Sequence, residues 1–345
     1  MEKKIKPIRE WMNITDRYKS GLKNSITDVK GVSVGHFTLR EGNGINTGIT
    51  IIKPHEKEPF LWKCPCSVAI GNGFGKLTGV LQIEELGELE SLIGLTNTLS
   101  VAPVMQGILD YHLENTSQKS LRSINIVVGE TNDGYLNDIR QCAIKPHHVK
   151  EAIESLSEDV KQGAVGAGTG TVCFGYKGGI GTASRIIPGD AIKEEKDYTV
   201  GVLVQSNYGG NLSIYGHNID KNPIKKLNDK GSCMIILATD APVDARQLKR
   251  FAKRGLLGLV RTGSYMSHGS GDFCIAFSNN ANNLRHHEDN NLRTIQVLAD
   301  EQLSPFFDAI VEASTEALYN SLTMSESLKG FNGNYVEGLD LETFI

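Results

Sequence analysis

Apolar residues along the chain follow two different spacings. Short apolar runs predict strands, and they occur at 47–52, 67–71, 124–128, 199–205, 233–239 and 273–277. Apolar positions that recur every three or four residues predict amphipathic helices over 147–162, 242–260 and 302–322. The strands do not alternate one for one with helices. This order disfavours a doubly wound parallel sheet and favours a layered α/β sandwich.

The stretch "NDKGSCMIILATDAPV", residues 228–243, combines a turn, a buried strand and a helix start. Cys233 to Ala238 is a continuous apolar run, and the Asp240-Ala241-Pro242 sequence is typical of a helix N-terminus. A Gly-Ser pair stands at the mouth of this strand, directly after a charged segment at 217–231. An exposed charged loop that ends at a buried strand is a typical place for a chain to be cut.

Composition and charge restrict the class of protein. A chain of 345 residues can form two domains or one large one, and 39% hydrophobic with 22% charged residues is typical of a globular protein. The net charge of -4 gives no broad basic field for nucleic acid or an anionic membrane. The N-terminus lacks the apolar core of a secretory signal, and no apolar run is long enough to span a bilayer. We therefore expect a cytoplasmic protein with a small-molecule or peptide ligand.

Cysteine and histidine spacing gives no sign of a metal site. The six cysteines are scattered and form no Cys-x-x-Cys pair, which predicts reduced core thiols. The histidine pairs at 147–148 and 286–287 have spacings that suit helix faces or loops rather than a metal cluster. We expect neither a metal nor another cofactor.

Glycine is enriched and clustered. It supplies 37 of the 345 residues, and the clusters lie at 71–79, 163–181 and 207–211. A phosphate loop fails around Lys76 at both ends of the motif, and the dinucleotide pattern fails in the first two clusters. His268 could form a serine triad with Asp240 or Asp272, but a loop histidine with local hydrogen bonds is the simpler interpretation.

Polar residues stand beside glycine at the ends of four predicted strands. The segments are "VVGETNDGYLND" (127–138), "VQSNYGGN" (204–211), "KGSCMIILATDAP" (230–242) and "SHGSGDFCIAF" (267–277). Because catalytic groups gather on loops held by a rigid sheet, the four segments together indicate an active site.

These segments resemble a family of self-processing aminopeptidases that includes L-aminopeptidase D-Ala-esterase/amidase and the β-peptidyl aminopeptidases. Further similar segments are "TDVKGVSVGH" (27–36), "LTNTLSVAPV" (95–104), "GAVGAGTG" (163–170) and "KGGIGTASR" (177–185). The resemblance implies a four-layer αββα sandwich over 1–345, similar to N-terminal-nucleophile hydrolases but differently connected. It also implies self-cleavage between Gly231 and Ser232, which gives chains 1–231 and 232–345.

The chemistry of a new N-terminus suits this position. A serine hydroxyl is a weak nucleophile until a base activates it. Once released, the α-amine of Ser232 titrates near neutral pH and can serve as that base, whereas the amide of the uncut chain cannot. Gly231 has no side chain to obstruct attack on its carbonyl.

The resemblance assigns further roles. Ser270 and Asp272 match the family's Ser-x-acid pair, which supports the nucleophile, although several relatives have Glu at the second position. Asn207 matches the asparagine that stabilises the oxyanion. Glu130 is the expected anion for the substrate's ammonium. Tyr135 is expected to form a pocket wall or a second donor, and a core tyrosine is equally consistent with its sequence context.

The expected activity is that of an N-terminal-serine hydrolase. It would release amino-terminal residues from short peptides, amides or esters through an acyl-enzyme on Ser232, as a homotetramer of processed heterodimers. One alternative is an acyltransferase of the ornithine acetyltransferase kind, although those enzymes cut before Thr. Another is an unprocessed, non-catalytic homologue that acts as a binding protein.

Overall fold

The computed structural model describes residues 5–42, 44–117, 121–219 and 230–343. The predicted charged segment before Gly231 therefore lies largely outside the described residues. No helix within these ranges is both long enough and apolar enough to cross a membrane. All six cysteines are free thiols, and five are buried as predicted, whereas Cys142 is exposed rather than in the core.

The described residues form six α-helices and seventeen strands. The helices are α1 Val80–Leu86, α2 Val101–Asn115, α3 His147–Glu154, α4 Gly189–Ile192, α5 Ala245–Arg261 and α6 Ser304–Thr323. The longer strands are β1 Ser33–Glu41, β2 Ile45–Lys53, β3 Trp62–Gly73, β5 Ile93–Asn97, β6 Val127–Thr131, β9 Ile180–Ile187, β10 Tyr198–Asn207, β13 Lys230–Thr239 and β14 Gly269–Ser278. The two-residue strands are β4 Glu88–Leu89, β7 Val172–Cys173, β8 Tyr176–Lys177, β11 Ser213–Ile214, β12 His217–Asn218, β15 Arg285–His286, β16 Leu328–Lys329 and β17 Tyr335–Val336.

Two sheets form the centre of the fold. The larger sheet has the order β15-β3-β14-β13-β10-β9, with β4 paired to β3, and the smaller has the order β1-β2-β5-β6. Most neighbouring strands are antiparallel, but β13 runs parallel to β14, and β5 runs parallel to β6. Helices α5 and α6 pack on the large sheet, and α2 and α3 pack on the small one. The chain is therefore a four-layer αββα sandwich, as predicted.

Strand β13 explains why its sequence is apolar without alternation. Cys233, Ile235 and Leu237 point into the core between the large sheet and its helices. Met234 and Ile236 point into the core between the two sheets. Because both faces of the strand are buried, every side chain from 233 to 238 is apolar.

Each predicted strand and helix overlaps an observed one, although most boundaries differ by some residues, and three of these differences are informative. The strand predicted at 124–128 lies at Val127–Thr131, so it includes the polar residues that follow the apolar run. The helix predicted to 162 ends at Glu154. The helix predicted from 242 begins at Ala245, because Asp244 rather than Asp240 caps it by accepting the Gln247 N–H at 2.7 Å.

Candidate active site

Ser232 lies between two strands of the large sheet. It is opposite Asn207 on β10 and Gly271 on β14, and it is only 4% exposed. Its Oγ donates a hydrogen bond to the Gly231 carbonyl oxygen at 2.5 Å and accepts one from the Gly271 N–H at 3.3 Å. The hydroxyl therefore lies beside the peptide bond that precedes it.

Glycine is required at position 231 by the closeness of β10. A Cβ added to Gly231 would lie 2.6 Å from the Tyr208 Cα and 2.9 Å from the Asn207 carbonyl oxygen. Because both contacts are with backbone, no side chain could be accommodated there without moving the strand. The absent side chain allows the Gly231 to Ser232 bond to lie directly against the end of β10.

The side chain of Asn207 is oriented by a backbone donor. Its Oδ1 accepts the Val172 N–H at 2.9 Å. Within the described residues, Nδ2 makes no hydrogen bond, and the residue is 7% exposed. Since the acceptor end of the amide is occupied, the donor end is available at the strand terminus where Ser232 lies.

The loop that supplies Val172 is held by Lys177, which sequence reasoning missed. The ammonium of Lys177 is fully buried and donates to the carbonyls of Gly168, Thr171 and Gly178 at 2.9, 2.9 and 2.6 Å. Burial lowers the pKa of Lys177 well below its ordinary value. Its three carbonyl acceptors satisfy the ammonium in this buried position.

Ser270 and Asp272 form a hydrogen-bonded pair on β14, one strand from the nucleophile candidate. The Ser270 hydroxyl donates to Asp272 Oδ1 at 2.9 Å, and Asp272 is fully buried. Burial raises the pKa of Asp272 from 3.8 to about 6, while the bonds from Ser270 and the Cys233 N–H oppose the rise. Oδ2 has no hydrogen-bond partner within the described part of the chain.

Asn72, also missed from the sequence, holds the turn before β14. Its Nδ2 donates to the carbonyls of Ser267 and His268, both at 3.0 Å, and to that of Ser270. His268 itself is exposed and lies near Phe74, with ring centroids 6.0 Å apart. No contact found among the described residues links His268 to a serine triad.

Glu130 ends in a buried carboxylate that is already bonded. Oε1 accepts the Lys76 backbone N–H at 3.0 Å and faces the Lys76 Nζ at 3.3 Å, and Oε2 accepts the Thr98 hydroxyl. Gly75 lies between this carboxylate and Gly271, the residue opposite Ser232 on β14. A Cβ on Gly75 would lie 3.5 Å from Oε1 and 3.2 Å from the Gly271 Cα. The glycine cluster at 71–79 thus brings Lys76 to a carboxylate rather than to a phosphate.

Among the described residues, Tyr135 makes no hydrogen bond with Ser232, Asn207, Asp272 or Glu130. It is half-buried, and its backbone carbonyl accepts from Asn334 Nδ2 at 2.8 Å. We find no hydrogen bond of its hydroxyl within the described ranges.

The histidine pair at 147–148 differs from the expectation. One ligand atom each of His147, His148 and Glu151 lie within 4.8 Å of one another, so these residues do form a group with metal-ligand chemistry. However, His148 Nδ1 already accepts the Lys145 N–H at 3.1 Å. The group lies at the start of α3.

Comparisons with known proteins agree with this architecture. Peptidase family S58 matches residues 24–336. The chain is 35% identical to "Beta-peptidyl aminopeptidase BapA" of Sphingosinicella microcystinivorans, over 93% of this chain and 86% of the relative.

Two solved structures extend the comparison to the fold. A Burkholderia sp. beta-aminopeptidase is 34% identical, with a TM-score of 0.89 over 98% of this chain and 96% of that one. L-aminopeptidase D-Ala-esterase/amidase from Ochrobactrum anthropi is 31% identical, with a TM-score of 0.89 over 97% and 96%. The latter is described as a prototype serine aminopeptidase with a variant of the Ntn hydrolase fold.

The fold, the family match and the similar solved structures together define an aminopeptidase of the N-terminal-nucleophile type. This confirms the family resemblance inferred from the sequence. The chain belongs to peptidase family S58. This membership does not support the acyltransferase alternative.

The raised pKa of Asp272 leads to a prediction about stability. Between about pH 4 and pH 6 the folded chain keeps a proton on Asp272 that the unfolded chain loses, so this residue lowers stability as pH rises through that window, by up to about 3 kcal/mol. Asp272→Asn should remove the effect. The two proteins to compare are Ser232→Ala and the double variant Ser232→Ala/Asp272→Asn. Both lack the hydroxyl expected to cut the chain, so both should unfold as a single uncut chain.

Denaturant unfolding at several pH values provides the measurement. The free energy of unfolding of the double variant, relative to Ser232→Ala, should increase from about pH 4 to pH 6 and then level off. A difference that does not vary with pH would show that Asp272 titrates normally.

Proposed function

We propose that Ser232 is the nucleophile of this aminopeptidase and that the chain creates it by cutting its own backbone between Gly231 and Ser232. The observation that carries the proposal is the position of Ser232 Oγ, 2.5 Å from the Gly231 carbonyl oxygen and one strand from Asn207. The same hydroxyl serves first for cleavage and then for catalysis.

Cleavage proceeds in two steps. Ser232 Oγ attacks the Gly231 carbonyl carbon, a C–O bond forms, and the C–N bond to Ser232 breaks as its nitrogen takes up the hydroxyl proton. The product is an ester with a free α-amine. Water then hydrolyses the ester, which leaves a Gly231 carboxylate and an N-terminal Ser232.

Turnover uses the group that cleavage releases. The α-amine of Ser232 takes the hydroxyl proton as Oγ attacks the substrate carbonyl, and it returns this proton to the leaving amine or alcohol. Asn207 Nδ2 donates to the oxyanion of the tetrahedral intermediate. The hydrogen bond between Ser270 and Asp272 fixes the end of β14 next to Ser232, and the Asp272 carboxylate carries the negative charge there. Water hydrolyses the acyl-enzyme and restores the free serine.

The substrates are short peptides, amides or esters with a free amino terminus. Glu130 supports this choice because of its position near Ser232. Its buried carboxylate lies on one side of Gly75, and Gly271, the residue opposite Ser232, lies on the other side. Such an anchor binds the substrate's ammonium by charge, and so it accepts both α- and β-amino groups. The β-peptidyl name of the Sphingosinicella relative supports the β class.

A cytoplasmic location and a homotetramer of processed heterodimers, both expected from the sequence, are kept as proposals. Cell fractionation and light scattering of the purified protein test them.

Ser232→Ala should leave one uncut chain without hydrolytic activity, because the variant lacks the hydroxyl that performs both reactions. A denaturing gel, intact mass and N-terminal sequencing provide the measurement. The wild type should give two fragments, the smaller beginning Ser-Cys-Met-Ile. Ser67→Ala is a matched control, since Ser67 is also buried in the large sheet and its hydroxyl has no hydrogen bond among the described residues. Normal processing of Ser232→Ala, or an active wild type that stays uncut, would refute the proposal.

Asn207→Ala should lower kcat by roughly 100- to 1,000-fold, the usual loss for one oxyanion donor, with a smaller change in KM. Asn207→Asp keeps an acceptor for the Val172 N–H but has no amide donor, so it should not restore the rate. Steady-state kinetics on processed protein test both variants. If Asn207→Asp were as active as the wild type, the residue would act only by holding the Val172 loop.

Glu130→Gln should lose about 100- to 1,000-fold in kcat/KM on free-amine substrates, because a broken charge pair in a buried site costs a few kcal/mol. For the wild-type enzyme, kcat/KM should be lower for the N-acetylated substrate than for the free amine by a similar factor. Glu130→Gln should reduce this difference between the two substrates. Glu84→Gln, which removes an exposed carboxylate paired with Lys249, is the control. An unchanged preference ratio would exclude Glu130 as the anchor but would leave Ser232 as the nucleophile.

A further inference from the structure

The carboxylate of Glu130 is closed to solvent by a lysine. Its side chain is 2% exposed, whereas the Lys76 side chain whose Nζ lies 3.3 Å from Oε1 is 53% exposed. The other two donors to the carboxylate, the Lys76 backbone N–H and the Thr98 hydroxyl, belong to the folded framework. Of these groups, the Lys76 ammonium is carried by the longest and most exposed side chain, so it can move into water most easily.

The Lys76 ammonium has the same charge and the same hydrogen-bonding groups as a substrate's ammonium. Each carboxylate oxygen has two acceptor positions, and on Oε1 the Lys76 N–H and Nζ take both. Oε2 keeps one acceptor position beside the Thr98 hydroxyl, so a second ammonium must either replace Nζ on Oε1 or bind on Oε2 next to the Lys76 charge. In both positions the two positive charges repel each other, so the substrate's ammonium competes with Nζ. The exposed lysine stem provides the freedom for Nζ to move into water.

We propose that Lys76 occupies the substrate's ammonium position in the free enzyme and is displaced when substrate binds. This inference rests on the proposed function of Glu130 as the anchor. It makes Lys76 a specificity-determining residue, since only a cationic amino group can replace the ammonium that leaves. Lys76 thereby keeps the buried carboxylate paired between turnovers and weakens the binding of every free-amine substrate.

Removing the Lys76 charge should therefore strengthen substrate binding. Lys76→Met keeps the backbone N–H on Oε1 and nearly the same length of side chain. We expect KM for a free-amine amide substrate to fall about 3- to 10-fold, the range set by the modest strength of a partly exposed ion pair, with kcat within about twofold of wild type. The inhibition constant of ethylammonium, used as a competitive probe, should fall by the same factor.

Two controls separate charge from packing. Lys76→Arg keeps a cation and should behave like the wild type. Lys249→Met removes an exposed lysine that pairs with Glu84 on another part of the surface, and it should leave both constants unchanged. In the Glu130→Gln background, Lys76→Met should have no further effect, because the carboxylate for which both ammonium groups compete is gone.

The outcomes distinguish the two proposals. If Glu130→Gln leaves the preference for free amines unchanged, the anchor itself is wrong. If Glu130→Gln removes that preference but Lys76→Met leaves KM and the ethylammonium constant unchanged or raises them, the anchor stands and the competitor role of Lys76 is overturned. A loss of thermal stability in Lys76→Met without any change in these constants would assign Lys76 a purely structural role.

Discussion

The pairing of β13 with β10 on one side and β14 on the other is the constraint on which the site depends. Hydrogen bonds to two neighbours fix the register, and the register alone puts Ser232 opposite Asn207 and Gly271. A shift by one residue would turn the serine to the opposite face of the sheet. Because both faces of β13 are packed in apolar cores, such a shift would also misplace every side chain from 233 to 238.

Two glycines are as important to this site as the side chains proposed to react. Gly231 allows β13 to begin against the backbone of β10, and Gly75 leaves room between Glu130 and Gly271. Polar side chains then fix the loops around these openings: the buried Lys177 holds the 168–178 segment, and the half-buried Asn72 holds the 267–270 turn. The proposed reactive groups lie at strand ends, while Lys177 and Asn72, which hold the adjacent loops, have no proposed part in the reaction.

The sequence predicted six of the nine longer strands and the helices α3, α5 and α6, since their patterns reflect burial, but it did not predict β1, β5 or β9. It missed α2, which contains Pro103 and Gly107, because both residues disfavour helices in isolation. The structure gives the reason for the glycine, since a Cβ there would lie 2.4 Å from the Pro146 carbonyl oxygen. Helix α3 ends early because Ser157 pairs with Val34 of β1 through two bonds of 3.0 Å, a tertiary contact without a local signal.

Some residues of the site could likewise be predicted from the sequence, and others could not. Ser232, Asn207, Ser270 and Asp272 could be named from the resemblance and lie together. Lys76 was considered only as part of a failed phosphate motif, and Val172 acts through its backbone N–H, which no side-chain pattern reveals. Contacts between segments distant in the chain, such as Asn72 with the 267–270 turn, depend on the folded sheet and cannot be derived from spacing.

The strand order of the large sheet has a consequence for how the chain would refold after cleavage. Strand β14 and all of β13 from Ser232 onward follow position 231, yet they lie between β3 on one side and β10 with β9 on the other, all of which precede it. A chain cut at this position would remain one body, because the later segment is enclosed on both sides by the earlier one. Once unfolded, however, its two pieces would have to find each other by diffusion. Refolding would then become a second-order reaction that depends on concentration, whereas the uncut chain folds as a single molecule.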